Sequence, residues 1–428
     1  MAPLADAGSL LAANTPAAFW RLLDGRIGAG LWEAAGRETM GCLAGLPGGA
    51  SDDLPSTLAA ILGEGQFGPG HWQLSWARRL FYSLRPAIPH SVRALLRGPA
   101  ARRCRHRGPL RWPIEDRYVQ FQLEMVRRVL RKNGQESMPY IHFWPHGCRF
   151  ALVLTHDVEG ERGQRFVRQL AALEEAYGFR SSFNFVPEAY RVDLGLLSEL
   201  RERGFEVGVH GLRHDGRLFS SPRIFQERAR RINEVLRAWQ AVGFRSPLTH
   251  RHPQWMQALE IEYDSSFFDT DPFESIPGGT MSIWPFMLGR FVELPYTLAQ
   301  DHLLMHSLGQ RTPRLWLEKV DFIRQYCGMA LLNSHPDYLL KPAYLAIYEH
   351  FLRQMSAHTD HWRALPRDVA RWWRRRAEAA VTREGDGWAI EGLPEATVGQ
   401  LRPCADTVTI TPDSGDIAAP LRGDPPAP

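Results

Sequence analysis

From about residue 147 to residue 360 the chain alternates short apolar runs with longer stretches of helical periodicity. The short runs are FALVLT (150–155), SSFNFV (181–186), FEVGVH (205–210), GFRS (243–246), FVELPY (291–296) and MALLNS (329–334). They carry the β-branched and aromatic residues that suit a pleated, buried surface. Between them, RFVRQLAALEEAYG, SPRIFQERARRINEVLRAWQAV and TPRLWLEKVDFIRQYCG place apolar residues on one helix face. Strands alternating with helices predict right-handed crossovers and a parallel sheet or barrel. In such folds the working groups gather at the carboxyl ends of the strands.

The flanks read differently. Residues 1 to about 70 are rich in Ala, Gly and Leu, with helix-like pieces such as TPAAFWRLLDGRI and the breaker cluster LPGGASDDLPS. From His71 to Trp112 the chain turns basic and aromatic, and a similar Trp/Arg cluster, RALPRDVARWWRRR, lies near Arg376. Interleaved arginines and aromatics predict either a linker docked on its own protein or a segment resting on an acidic membrane surface. The Pro/Gly/Asp-rich sequence beyond predicts a partly disordered tail. The expected division is a mainly helical, basic-aromatic extension over 1–146, a β/α domain over 147–376 and a short C-terminal tail over 377–428.

The 428 residues are 44% hydrophobic and 23% charged, a globular composition with length for one large domain and an addition. The net charge of +4 lacks the concentrated basic footprint of a nucleic-acid binder. Only three of the 51 basic residues are lysine (Lys132, Lys319, Lys341), which leaves 48 arginines. Compositional bias accounts for most of these, with some open to anion recognition. Five scattered cysteines with no CxxC pair suit a reducing compartment and exclude a thiolate zinc knuckle. The start of the chain lacks a basic, apolar leader, and no run approaches ~18 apolar residues. The expected location is therefore cytoplasmic, with peripheral contact at the inner membrane face as a use for the basic flanks.

Four of the strand-like runs end in reactive side chains. FALVLT leads into His156-Asp157-Val158-Glu159-Gly160 and FEVGV into His210-Gly211-Leu212-Arg213-His214; GFRS delivers Arg245 and MALLNS delivers His335-Pro336-Asp337. If the strands are parallel, all of these groups share one mouth. Two imidazoles and one carboxylate form the donor set of a catalytic zinc or similar divalent ion, with positions left for water. Such an ion acidifies water and polarises a carbonyl. The second carboxylate can then accept a proton, a histidine on another strand can donate one to a leaving group, and an arginine can hold the base ionised. The set is that of a metal hydrolase for an amide or ester.

HxxxH spacing also occurs at His142/His146, before the first strand, and at His302/His306 in QDHLLMHSL, whose apolar residues predict a core-packed helix. Only the His210/His214 pair follows a strand and is bracketed by glycines that free the loop. Asp157 and Glu159 alone would serve equally well as helix caps. The joint pattern is what points to a site.

In this order the residues resemble the polysaccharide deacetylases of carbohydrate esterase family 4, the NodB-homology fold. LTHDVEG is similar to the family's first motif, HGLRH to the second, FRSP to the third and LLNSHPDY to the last, over about half the chain. The resemblance implies Asp157 as catalytic base, Glu159, His210 and His214 as metal ligands, Arg245 as support for the base and His335 as general acid. Glu159 stands where the family usually has aspartate, so Asp157 and Glu159 could exchange roles. The motif that supplies an aspartate and a tryptophan to the groove is not cleanly present. Asp264, Asp269 and Asp271 are candidates, with Trp284 and Trp255 as walls, and Asp301 or His302 in ELPYTLAQDHLL are further pocket candidates.

The fold implied is α/β, a distorted seven-stranded β/α barrel. The reaction implied is removal of N- or O-linked acetyl groups from a polysaccharide or glycan precursor on a divalent metal, zinc first, with cobalt, nickel or manganese as alternatives. An acetylated glycan or lipid-linked sugar is the expected partner. Two other readings stay open here: an amidohydrolase or deformylase acting on a non-sugar amide, and a catalytically silent carbohydrate-binding relative.

Overall fold

The chain opens with four short helices, α1 (Ala7–Leu11), α2 (Pro16–Trp20), α3 (Ala29–Thr39) and α4 (Leu54–Leu62), followed by α5 (Arg117–Lys132) and strand β1 (Met138–Ile141). The computed structural model describes residues 7–23, 27–46, 53–68, 71–72, 108–276, 278–385 and 387–412. Most of the basic-aromatic stretch expected at the extension's end, residues 73–107, lies outside the described residues.

Nine strands follow: β2 (Phe150–Val158), β3 (Ser182–Phe185), β4 (Glu206–His210), β5 (Gly243–Arg245), β6 (Tyr263–Asp264), β7 (Phe286–Leu288), β8 (Phe291–Glu293), β9 (Met329–Ser334) and β10 (His361–Ala364). β2 pairs in parallel with β9 along one edge, and with β10 and then β3 along the other. Parallel pairing continues from β3 through β4, β5 and β6 to β8. A single parallel bridge, Leu298 to Leu332, returns the segment beyond β8 to β9. Seven parallel strands thus close a distorted barrel, with β10 and the antiparallel β7 as additions. Six of the seven coincide with the runs read from the sequence; β6 is two residues long and gave no periodic signal.

The outer layer comprises α6 (Glu161–Ala176), α7 (Leu194–Glu202), α8 (Pro222–Ala238), α9 (Pro253–Met256), α10 (Arg314–Gln325), α11 (Pro336–Leu339), α12 (Pro342–Ser356) and α13 (Pro366–Glu378). α6 buries Phe166, Val167, Leu170 and Ala171, the three-and-four spacing of one helix face. Ser221 accepts the Ile224 amide and Pro222 takes the first helical position, which starts α8 sharply. Helices cover the barrel outside, so β2 is buried along its whole length and reads as a continuous apolar run rather than an alternating one.

Of the two readings of the Trp/Arg cluster, packing on the protein's own surface is the one the structure favours at α13, where Trp372, Trp373 and Arg376 are buried. Arg376 donates to the carbonyls of Phe19, Ile141 and His142 and lies over the rings of Phe143 and Trp373, tying α2 and β1 to α13. Part of the C-terminal segment forms strands. β11 (Val381–Glu384) and β12 (Gly387–Ile390) form a hairpin, while β13 (Val398–Pro403) and β14 (Val408–Thr411) extend β1 into a three-stranded antiparallel sheet. Residues 413–428 lie outside the described residues. No helix among the described residues is long and apolar enough to cross a membrane.

The extension is locked to the barrel by a buried carboxylate. Glu64, in the left-handed conformation just after α4, receives Arg251 through both oxygens, and also the Gly279 amide, His71 and Trp72. Both members of the pair are fully buried. Such a pair costs desolvation that only a complete hydrogen-bond set offsets, and removing one partner strands a charge.

Glu206 on β4 is buried beneath the barrel and accepts from the Tyr263 hydroxyl and the Arg367 amide. Burial outweighs those bonds and pushes its pKa up to about 7. Because the folded value exceeds the unfolded one, stability is fully present below the unfolded pKa and falls as pH rises towards 7. Glu206→Gln is expected to raise the melting temperature at pH 8, relieving up to about 3 kcal/mol, and to give a much smaller gain at pH 5. Thermal unfolding at the two pH values checks this.

Candidate active site

Strand ends bring the predicted residues together. Asp157 lies near the carboxyl end of β2, and Glu159 immediately follows that strand. His210 ends β4, Arg245 ends β5 and His335 follows β9, while His214 sits in the loop after His210. In parallel strands these ends share one face of the barrel.

Asp157 is buried and held on three sides. Its Oδ1 accepts from Asn184 at 3.1 Å and Arg245 at 3.3 Å, and its Oδ2 accepts from Asn333 at 2.8 Å. Burial alone would raise its pKa, but His210, where acid protonates it, and Arg245 more than offset that and hold it well below the usual carboxylate range; at neutral pH Arg245 is the charge that remains. Asn184 reaches Asp157 because residue 208 on the neighbouring strand is glycine: a Cβ there would lie 2.0 Å from Asn184 Oδ1.

Glu159, His210 and His214 bring one donor atom each within 4.8 Å of one another. His210 Nδ1 donates to the Arg245 carbonyl at 3.1 Å, which leaves Nε2 as the donor atom for an ion. Burial pushes the His210 pKa down to about 4, so the imidazole is neutral, as a ligand must be. Glu159 Oε1 lies 2.9 Å from His214 Nε2. Its pKa is held far below normal, with burial opposing and His214 the strongest of the lowering charges. Two histidines and a carboxylate in this arrangement fit a divalent ion of zinc type with an open position.

His335 sits across the site, with Nε2 3.8 Å from Glu159 Oε1. Its Nδ1 donates to Asp301 Oδ1 at 2.7 Å and its amide to Asp301 Oδ2 at 2.9 Å. Burial would lower its pKa, but the Asp301 carboxylate overrides that and pushes it up to about 10. Asp301 thus lies behind His335, and His302 presents its ring at 80° to that of His335. Both begin a π-helical turn, His302–Ser307, where the sequence predicted a core-packed helix. The apolar part of that expectation holds, since Leu303, Leu304 and Met305 are buried.

The other groove candidates have partners of their own. Trp284 is buried among Phe19, Phe143 and Tyr118 and donates to the Cys327 carbonyl, at the end of β9 opposite His335. Asp264 is fully buried against Ser266 and Glu293, and burial pushes both acids up. Asp269 pairs with Lys319, and Asp271 accepts from Tyr296. Trp255 stacks on His252 with centroids 4.2 Å apart. His142 bridges Tyr140 and the Cys148 carbonyl, as a structural histidine would. Sequence reasoning missed Asn184 and Asn333. Their signal was present: an amide inside an otherwise apolar strand, on the side facing a charge.

No family model matches the chain. Nor does any curated protein. Among solved structures, a probable polysaccharide deacetylase from Pseudomonas aeruginosa PAO1 matches with TM-score 0.46 and 19% identity, covering 55% of this chain and 94% of that one. PuuE allantoinase matches with TM-score 0.45 and 18% identity, covering 54% and 93%. Peptidoglycan deacetylase PdaC from Bacillus subtilis matches with TM-score 0.35 and 11% identity, covering 53% and 93%.

Metal binding tests the triad directly. Dialysed wild-type protein is expected to take up zinc with high affinity, His210→Ala and His214→Ala to lose that uptake, and Asp157→Asn to retain it. A reversal between Asp157→Asn and Glu159→Gln, read by calorimetry or elemental analysis, would exchange the two carboxylates' assignments.

Proposed function

We propose that this protein is a metal-dependent deacetylase acting on an acetylated glycan or lipid-linked glycan precursor, with Glu159, His210 and His214 holding the ion, zinc by donor type. The observation that carries the reading is the opposed pair around that triad. Asp157 is kept ionised by Arg245 and by the amides of Asn184 and Asn333, while His335 is kept protonated by Asp301. A bound ion would supply an acidified water and a polarised carbonyl.

The chain's own residues do the rest. The Asp157 carboxylate takes up the proton that the attacking water loses as its oxygen bonds to the carbonyl carbon, its orientation fixed by Asn184, Asn333 and Arg245. His335 carries a proton on Nε2, because Nδ1 is committed to Asp301. Nε2 delivers it to the departing sugar nitrogen or oxygen. Groups whose environments push their pKa values apart divide into base and acid. The strand-end motifs LTHDVEG, HGLRH, FRSP and LLNSHPDY resemble, in that order, those of polysaccharide deacetylases, and this resemblance is the ground for a sugar acetyl group over a non-sugar amide.

Acetate release from a panel of acetylated glycans and lipid-linked precursors, with and without added metals, tests the reading. No acetate from any of them, together with hydrolysis of small amides, would replace the substrate class. Asp157→Asn is expected to lower turnover by roughly 10²–10⁴-fold, the usual worth of a positioned base. Asp301→Asn should move the alkaline limb of the pH–rate profile towards neutrality, because His335 then loses its proton at lower pH; an unmoved limb would remove His335 from the acid role.

A further inference from the structure

A second group of donors lies beside the triad. Asp301, His302 and His335 bring one ligand atom each within 4.8 Å of one another. The rings of His302 and His335 cross at 80° with centroids 5.3 Å apart, which lets two imidazoles aim nitrogens at one point. Tyr338 lies nearly parallel to His302 at 5.7 Å and edge-on to His335 at 5.6 Å, backing both rings. The π-helical turn that begins at His302 directs Asp301 and His302 to the same place, and such wide turns recur at functional sites. Asp301 and His335 are buried and His302 is partly exposed, so the approach is from the His302 side.

We propose that Asp301, His302 and His335 form a second, weaker divalent-metal site, and that an ion held there withdraws His335 from proton donation, so that excess metal inhibits the enzyme. The inhibitory part rests on the reading of His335 as proton donor; the site itself does not. Imidazole and carboxylate donors suit zinc, copper and nickel alike. The order of filling follows from what each ion displaces. Asp301 already accepts from His335 Nδ1, the His335 amide and the His302 amide, and an ion there must displace the proton that His335 shares with Asp301, which makes this the weaker site. The Glu159 carboxylate meets His214 Nε2 at 2.9 Å and His335 Nε2 only at 3.8 Å. The triad therefore fills first.

Calorimetric titration of metal-free full-length protein with zinc alone is the test. The wild type is expected to show two binding events, the second weaker. His302→Ala and His302→Gln should lose the weaker event and keep the tighter one, whereas His210→Ala should lose the tighter and keep the weaker. The glutamine variant, with its melting temperature measured alongside, guards against a loss of fold. A single event in the wild type, or two events in both His302 variants, would overturn the site. On whichever acetylated substrate is turned over, zinc beyond the first equivalent should slow the wild type and not the His302 variants; an equal slowing in both would overturn the inhibitory role. The calorimetry reads out even if no acetylated substrate is hydrolysed, so the two readings fail separately.

Discussion

The arrangement depends on one buried guanidinium. Arg245 is almost wholly removed from solvent, and a buried arginine must place its N–H groups on acceptors or lose several kcal/mol. Here Nε donates to the Ser265 carbonyl, Nη2 to the Ser265 hydroxyl, and Nη1 to Thr155, Asn333 and Asp157. These acceptors belong to β2, β9 and the residue after β6. One side chain on β5 thus ties together four strands of the barrel at the end where the candidate chemistry sits. Its charge is also part of what keeps Asp157 ionised. Architecture and reactivity share the same hydrogen bonds.

The opposed protonation of Asp157 and His335 follows from the same economy. Burial penalises the charged form of both groups, so each stays charged only where a partner outweighs burial. Arg245 does this for the acid, and Asp301 does it for the imidazole. Behind them, His156 joins Ser334 and Glu174, and Glu174 also receives Ser181 and Tyr348. This network clamps β2 to β9 one residue before Asp157 and one residue before His335. The spacing between the two is therefore set by the packing of the layer outside the barrel as well as by the site itself.

The flanking segments are part of that packing. Glu64 reaches from the extension to Arg251, six residues beyond Arg245, and Arg376 reaches from α13 to the backbone of α2 and β1. Of the Trp and Arg residues that the sequence left open between a membrane surface and the protein's own, Trp373 and Arg376 fill the seam between extension and barrel, where planar guanidinium and aromatic faces stack. An arginine beside tryptophans signals stacking, and the partner can be lipid or the protein's own core.

Local pattern determined much of this protein. Continuous apolar runs marked the strands because both faces of a covered parallel sheet are dry, and His156-Asp157-Val158-Glu159, HGLRH, Arg245 and His335 stood out because they follow those runs directly. Only the tertiary structure decided the rest, because it turns on contacts far apart in sequence. Asp301 stands behind His335 across 34 residues, and Asn333 meets Asp157 across 176. Trp284 and Asp264 had the right residue types for a groove, but both are buried against partners distant in sequence, Cys327 and Glu293, and no local periodicity records which way an isolated side chain turns. The tail's strands escaped notice for a related reason: β13 is held by β1, some 260 residues earlier, so its stability lies in a partner that its own sequence does not contain.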